Sequence, residues 1–174
     1  IIGHSFTMDL HWSSPSAFVP IVTAMFAREN PKVEFRQFEG GGLTSTRAYK
    51  RFYEDAVAWK PDVVLLVLAN RTDEDIENFA RLGKGLTAAG ARVYSFDDLH
   101  DPDAADQGRL QKEWATGRAS GIAIVEVSRL IEAAPDHARF VCLDGIHRTE
   151  PWHRLMAKEW LKLLVGARGP ALEN

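Results

Sequence analysis

Asp62-Val63-Val64-Leu65-Leu66-Val67-Leu68 is the most apolar run in the chain. After Asp62 no position offers a polar face to water, so the run reads as a central strand covered on both sides. Strands of that kind belong to parallel sheets flanked by helices. Parallel neighbours need long crossovers, and segments of helical period stand on either side of the run. Residues 15–29 open at Ser14-Pro15 and carry Phe18, Ile21, Val22, Met25 and Phe26 at helical spacing, ending at Asn30-Pro31. A second helix is expected over Ser45 to Trp59. A third begins at Thr72 with Asp73, Glu74 and Asp75 at its positive end, buries Ile76, Phe79, Leu82 and Leu86, and closes at Gly90.

The remaining pieces alternate in the same way. Ile1-Ile2-Gly3 reads as the end of a buried strand whose earlier residues are expected upstream, since strands usually run about 5 to 6 residues. Val33 to Phe38, Arg92 to Phe96 and Arg139 to Leu143 supply further strands. A helical region is expected from about Gln107 to Ala134, interrupted near Gly117 to Gly121, with Ile122, Val125, Val127, Leu130 and Ile131 as its later apolar face. The last helix, Pro151 to about Val165, turns Leu155, Met156, Trp160, Leu163 and Leu164 inward. The expectation is one α/β domain over residues 1–174. It is a three-layer α/β/α, flavodoxin-like, five-stranded parallel sheet with helices on both faces and ligands at the carboxyl ends of the strands.

Composition narrows the partners. The net charge is -3 and the pI about 6.1, which gives no basic field for nucleic acid. Cys142 is the only cysteine, so no internal disulfide forms, and its apolar neighbours suggest a buried thiol. No apolar run reaches the roughly 18 residues of a membrane span. No signal-peptide pattern is visible, and the opening at Ile1 without a Met suggests processing or trimming, so the compartment stays unassigned.

Four loops that follow strands carry residues suited to acyl transfer. Gly3-His4-Ser5-Phe6-Thr7 offers a hydroxyl nucleophile. Glu39-Gly40-Gly41-Gly42 can turn backbone amides toward a ligand. Ala69-Asn70 ends the central strand with a side-chain amide. Asp144-Gly145-Ile146-His147 sets a carboxylate three residues before an imidazole, where it can accept the Nδ1 proton and leave Nε2 as the base. A serine hydroxyl needs such a base, and the oxyanion formed by attack needs donors such as the N–H groups of Ser5 and Gly42 and the amide of Asn70.

In this order, Ser, Gly, Asn and then Asp-x-x-His near the C-terminus, the residues resemble the SGNH hydrolases, also called the GDSL esterase/lipase superfamily, over essentially the whole chain. The resemblance implies Ser5 as nucleophile, Gly42 and Asn70 as oxyanion donors beside the Ser5 amide, Asp144 as orienter and His147 as base. The chain departs from the family pattern at His4 and Phe6, which stand for Asp and Leu, and at Leu68 and Arg71, which stand for Gly and Asp. Gly41 rivals Gly42, because a glycine triplet has no register of its own.

Each residue also has a plainer use. Ser5 can be a turn residue, Asn70 a helix cap, the glycines a tight bend, and the Asp144/His147 pair a loop hydrogen bond. Asp144, His147 and His153, with His4 and His11 near Ser5, lack a recognised metal-ligand spacing, and neither metal nor cofactor is expected. Trp12 and Trp152 can stack on a sugar ring or pack in the core. Arg71 and Arg148 can meet an anion or pair with Asp73, Asp75 or Glu150. The expected activity is hydrolysis of a short acyl ester, acetyl in the first instance, of a carbohydrate or other small alcohol, with acyl transfer to another hydroxyl as a variant. The alternative is a non-catalytic module that binds a phosphate or small molecule at the glycine-rich loops. An ordinary α/β-hydrolase is disfavoured, since Thr7 stands where its Gly-x-Ser-x-Gly elbow needs the second glycine.

Overall fold

A computed structural model describes residues 1–5, 7, 17–97, 104–134, 140 and 148–167, without the side chains of 104–106 and 167. Within them the chain runs β1 (Ile2–Gly3), α1 (Phe18–Glu29), β2 (Phe38–Glu39), α2 (Ser45–Ala58), β3 (Val63–Val67), α3 (Asp73–Ala88), β4 (Arg92–Phe96), α4 (Ala104–Ala119), β5 (Ile122–Val125), α5 (Ser128–Glu132) and α6 (Glu150–Ala167). The five strands form one parallel sheet in the order β2-β1-β3-β4-β5. The chain steps from β1 to one side, then crosses back over β1 to β3 and continues the other way. Because crossovers keep one hand, the helix of the first step and the helices of the later steps fall on opposite faces.

Two apolar cores follow from this. On one face Phe18, Val22 and Phe26 of α1 meet Trp152, Met156 and Trp160 of α6 and Val127 and Ile131 beside and within α5. On the other, Ala48 and Ala56 of α2 and Phe79, Leu82 and Leu86 of α3 cover the sheet. The central run serves both cores by simple alternation: Leu65 faces the first, Val64 and Leu66 the second. This is the three-layer arrangement expected from its composition.

The third helix starts as its sequence says. Thr72 Oγ1 accepts from Asp75 N–H, and the Asp75 carboxylate reaches back to Thr72 N–H at 3.2 Å, closing a capping box. At α1 the expected Ser14-Pro15 start lies outside the described residues. The helix begins at Phe18 with Ala17 at its cap position and no side-chain cap from its own turn.

Two expectations are corrected. The stretch Ile122 to Val125, read as helix, is strand β5, paired in register with β4 from Val93↔Ile122 to Phe96↔Val125. A short apolar run satisfies either period, and the unpaired edge of β4 decides in favour of the ladder once α4 has ended at Ser120-Gly121. The expected fifth strand, Arg139 to Leu143, lies outside the described residues except for Phe140, which is buried in the first core. The second strand was expected over Val33 to Phe38, but the ladder takes only Phe38–Glu39. β2 has β1 as its neighbour, and an edge strand is as long as the partner it finds.

Candidate active site

β1 and β3 lie side by side at the point where the strand order reverses, and their carboxyl ends open the crevice in which α/β sheets bind ligands. Ser5 stands just past β1, half-buried. The chain is bent there by His4, whose carbonyl accepts both the N–H and the hydroxyl of Thr7 at 2.9 Å, while His4 N–H donates to Val67 at the end of β3. Gly3 is required by this bend, because a Cβ on it would lie 2.2 Å from Thr7 Oγ1. His4 itself is buried, and its Nδ1 lies 3.4 Å from Ser5 Oγ.

The glycine-rich loop joins the same edge. Gly40 N–H donates to Gly3, Leu43 N–H closes a turn on Gly40, and Ala69 N–H donates to Leu43, so three loops from β1, β2 and β3 are stitched together. Gly42 is the left-handed residue of that turn, at φ 56°, a conformation a side chain would strain. No described residue accepts from the N–H groups of Ser5, Gly41 or Gly42.

Asn70 comes off the end of β3 and is 5% exposed. Its Oδ1 accepts from Ser45 N–H, the first amide of α2, at 2.9 Å, and its Nδ2 donates to Glu113 Oε1 of α4 at 2.9 Å. Arg109 Nη1 donates to the Asn70 backbone carbonyl. The expected capping role is thus real, but for the helix before the strand, not the one after it. Glu113 and Arg109 were not foreseen. They stand one turn apart on α4 in an i, i+4 relation that sequence reads as an ordinary surface pair, and only the packing of α4 on α3 carries them to Asn70.

The electrostatics of this corner are uneven. Burial pushes the Glu113 carboxyl up to about 7, with the Asp75 charge adding to the rise and the Asn70 hydrogen bond and Arg109 opposing it. Asp75 is also desolvated, yet the hydrogen bonds it receives from Thr46, Arg71, Thr44 and Thr72 outweigh this and hold it down to about 2. Asp75 is therefore engaged with helix ends, not with Arg71 as an ion-pair partner.

Asp144 and His147 lie outside the described residues. On either side of them, Thr149 N–H donates to the Phe140 carbonyl at 3.0 Å. Arg148 is buried with its guanidinium 5.7 Å from the Trp152 ring, and Trp152 is a core residue, which answers the choice between stacking and packing for that tryptophan. Trp12 and His11 are outside the described residues. His153 is 2% exposed and accepts Phe18 N–H on Nδ1 at 3.3 Å. Burial first, and the Arg148 charge second, lower its pKa to about 4. Among the described residues no group of three or more His, Cys, Asp or Glu side chains gathers as metal ligands would, and no helix is long and apolar enough to cross a membrane. A cavity of about 520 Å³ opens at the opposite, amino-terminal edge of the sheet, lined by residues such as Phe35, Trp59, Asp62, Arg92 and Trp160, and it contains none of the candidate site residues.

No protein-family model and no curated protein matches the chain. Solved structures do. A psychrotrophic esterase, EstA, from Pseudoalteromonas sp., in a form inhibited by monoethylphosphonate, superposes with a TM-score of 0.72 at 13% identity over 92% of this chain and 92% of its own. A lipase/acylhydrolase from Enterococcus faecalis gives 0.73 at 16% identity over 95% and 93%, and the acetyl xylan esterase AlAXEase 0.68 at 12% over 93% and 98%. The fold is shared with solved esterases. At these identities the likeness speaks for the fold over nearly the whole chain, which is the fold the SGNH resemblance implied.

Proposed function

We propose that this protein is a serine esterase that removes a short acyl group, acetyl in the first instance, from a carbohydrate or other small alcohol. One observation carries the reading: the loops of Ser5, Gly42 and Asn70 are hydrogen-bonded into a single edge, where no described residue accepts from the N–H groups of Ser5 and Gly42 and one of the two Asn70 Nδ2 hydrogens has no described acceptor. Solved neighbours described as an esterase, an acylhydrolase and an acetyl xylan esterase support the reaction class and the choice of acetyl.

In this reading His147 Nε2, oriented by Asp144, takes the Ser5 hydroxyl proton as Oγ bonds to the ester carbonyl carbon. The carbonyl electron pair moves to oxygen, and the oxyanion is received by the N–H groups of Ser5 and Gly42, or Gly41 in its place, and by Asn70 Nδ2. The intermediate collapses, the alcohol leaves with the proton from His147, and Ser5 keeps the acyl group. Water, deprotonated by His147, then attacks the acyl carbon and releases the carboxylic acid and free Ser5. Another alcohol in place of water would make the same residues a transferase.

The Ser45 N–H to Asn70 Oδ1 bond favours a second reading, a non-catalytic binding module in which Asn70 is purely structural. A panel of acetyl to octanoyl esters, run on wild type and Ser5→Ala, separates the two. Hydrolysis of short esters that vanishes in Ser5→Ala, with fluorophosphonate labelling of Ser5, supports the esterase. No turnover and no labelling would leave the binding module.

A further inference from the structure

The acyl-transfer steps make no use of Glu113, yet it is buried and bonded to a residue those steps depend on. Glu113 is 7% exposed and accepts from Asn70 Nδ2 at 2.9 Å. On the other side of the amide, Asn70 Oδ1 receives Ser45 N–H. A backbone N–H can only donate, so Oδ1 must face Ser45 and Nδ2 must face Glu113, and the orientation of the amide is determined by its two neighbours. One Nδ2 hydrogen goes to Glu113. The other has no acceptor among the described residues. Arg109 holds the Asn70 backbone carbonyl from the same helix, so α4 grips both the main chain and the side chain of this residue.

We propose that Glu113 is a positioning residue of the oxyanion hole, fixing the Asn70 amide so that its second Nδ2 hydrogen is presented to the carbonyl oxygen of a bound ester. The inference rests on the esterase reading above. Its physical ground is that χ2 of asparagine is a broad, soft torsion, while a donor lowers a barrier only if it is aimed before charge develops. Two bonded neighbours remove the softness. Burial also raises the Glu113 carboxyl to about 7, so at neutral pH a large share of molecules hold Asn70 with an uncharged acceptor. A neutral carboxyl keeps the hydrogen bond without setting a full negative charge near the developing oxyanion.

The test compares Glu113→Met, which fills the space without an acceptor, and Glu113→Gln, which retains one, each alone and on an Asn70→Ala background. Steady-state kinetics with p-nitrophenyl acetate are read beside the Asn70 side-chain amide signals in 15N–1H spectra. Glu113→Met is expected to lower kcat by about 10- to 100-fold with little change in KM, a fraction of the loss for a whole donor. Glu113→Gln should stay within about threefold of wild type, and Glu113→Met should add nothing once Asn70 is gone. The Asn70 amide protons should exchange faster in Glu113→Met. An amide signal that is unchanged, or a kcat loss of full size on the Asn70→Ala background, overturns the inference whatever the activity. A wild type inactive on every ester, with an amide that still loosens in Glu113→Met, overturns the esterase reading and keeps the hold on Asn70.

Discussion

Two helices of this fold begin on a side chain from far away in the chain. The first amide of α2 donates to Asn70 Oδ1, 25 residues on, and the first amide of α1 donates to His153 Nδ1, 135 residues on. Both caps satisfy a donor that a helix leaves orphaned, and both are buried. Their surroundings differ. His153 is walled by Phe18, stacked at 6.3 Å, and Trp152, edge-on at 5.0 Å, and both of its roles are structural: it caps α1 and ties it to α6. Asn70 has a polar enclosure, an ionisable neighbour and a hydrogen left over. The same capping device sets one side chain against aromatic walls and leaves the other with an amide hydrogen that no described residue accepts.

The largest effects should separate the two corners outright. On the esterase reading, Asn70→Ala is expected to lower kcat about 10²- to 10³-fold and also to lower the melting temperature, because the proposed oxyanion donor and one helix cap are lost together. His153→Ala should lower the melting temperature with kcat nearly unchanged in whatever remains folded. Parallel assays and thermal melts check both, and a His153 variant that folds well but is inactive would break the comparison.

The two corners should also respond to pH in opposite senses. Glu113 binds its proton more tightly folded, at about 7, than the ordinary value of 4.5, so its unfavourable contribution is absent below about 4.5, grows as pH rises, and is complete above about 7. At full size the shift corresponds to about 3 kcal/mol. Glu113→Gln should therefore be more stable than wild type at pH 9 and not at pH 4, by denaturant midpoint. His153 runs the other way: its pKa falls from 6.5 to about 4 on folding, so its contribution is present above 6.5 and is lost as pH drops toward 4. His153→Gln, with an oxygen available to Phe18 N–H, should flatten that acid limb. A limb of unchanged slope would show that another group carries it.

The smallest expected effect is at Asp75, which links the starts of α2 and α3. Its folded pKa of about 2 lies below the ordinary 3.8, so its stabilisation is present above that value and lost as pH falls through 2. Asp75→Asn should cost about 1 kcal/mol at pH 7, the usual size of a helix-start contact, and leave kcat unaltered. A fall in kcat there would extend the functional corner beyond Asn70 and Glu113.

What could be read without the structure was whatever depends on neighbours along the chain. The alternation of periods, the all-apolar β3 buried on both faces, and the helix start at Thr72 with its run of acids are local, and all three stand in the fold. The Ser5, Gly42 and Asn70 loops were legible as members of one edge because parallel strands put all their carboxyl ends together. Ile122 to Val125 was misread because four apolar residues fit either period, and the free edge of β4 is not written nearby. His153 looked like any histidine until α1 and α6 packed around it. Nothing near Glu113 in the sequence marks it out, and only α4 carries it to Asn70, 43 residues away. Pattern and capping are short-range and additive, so a sequence states them directly. Burial, and with it the pKa of Glu113 and the orientation of the Asn70 amide, arises only when helices close over the sheet.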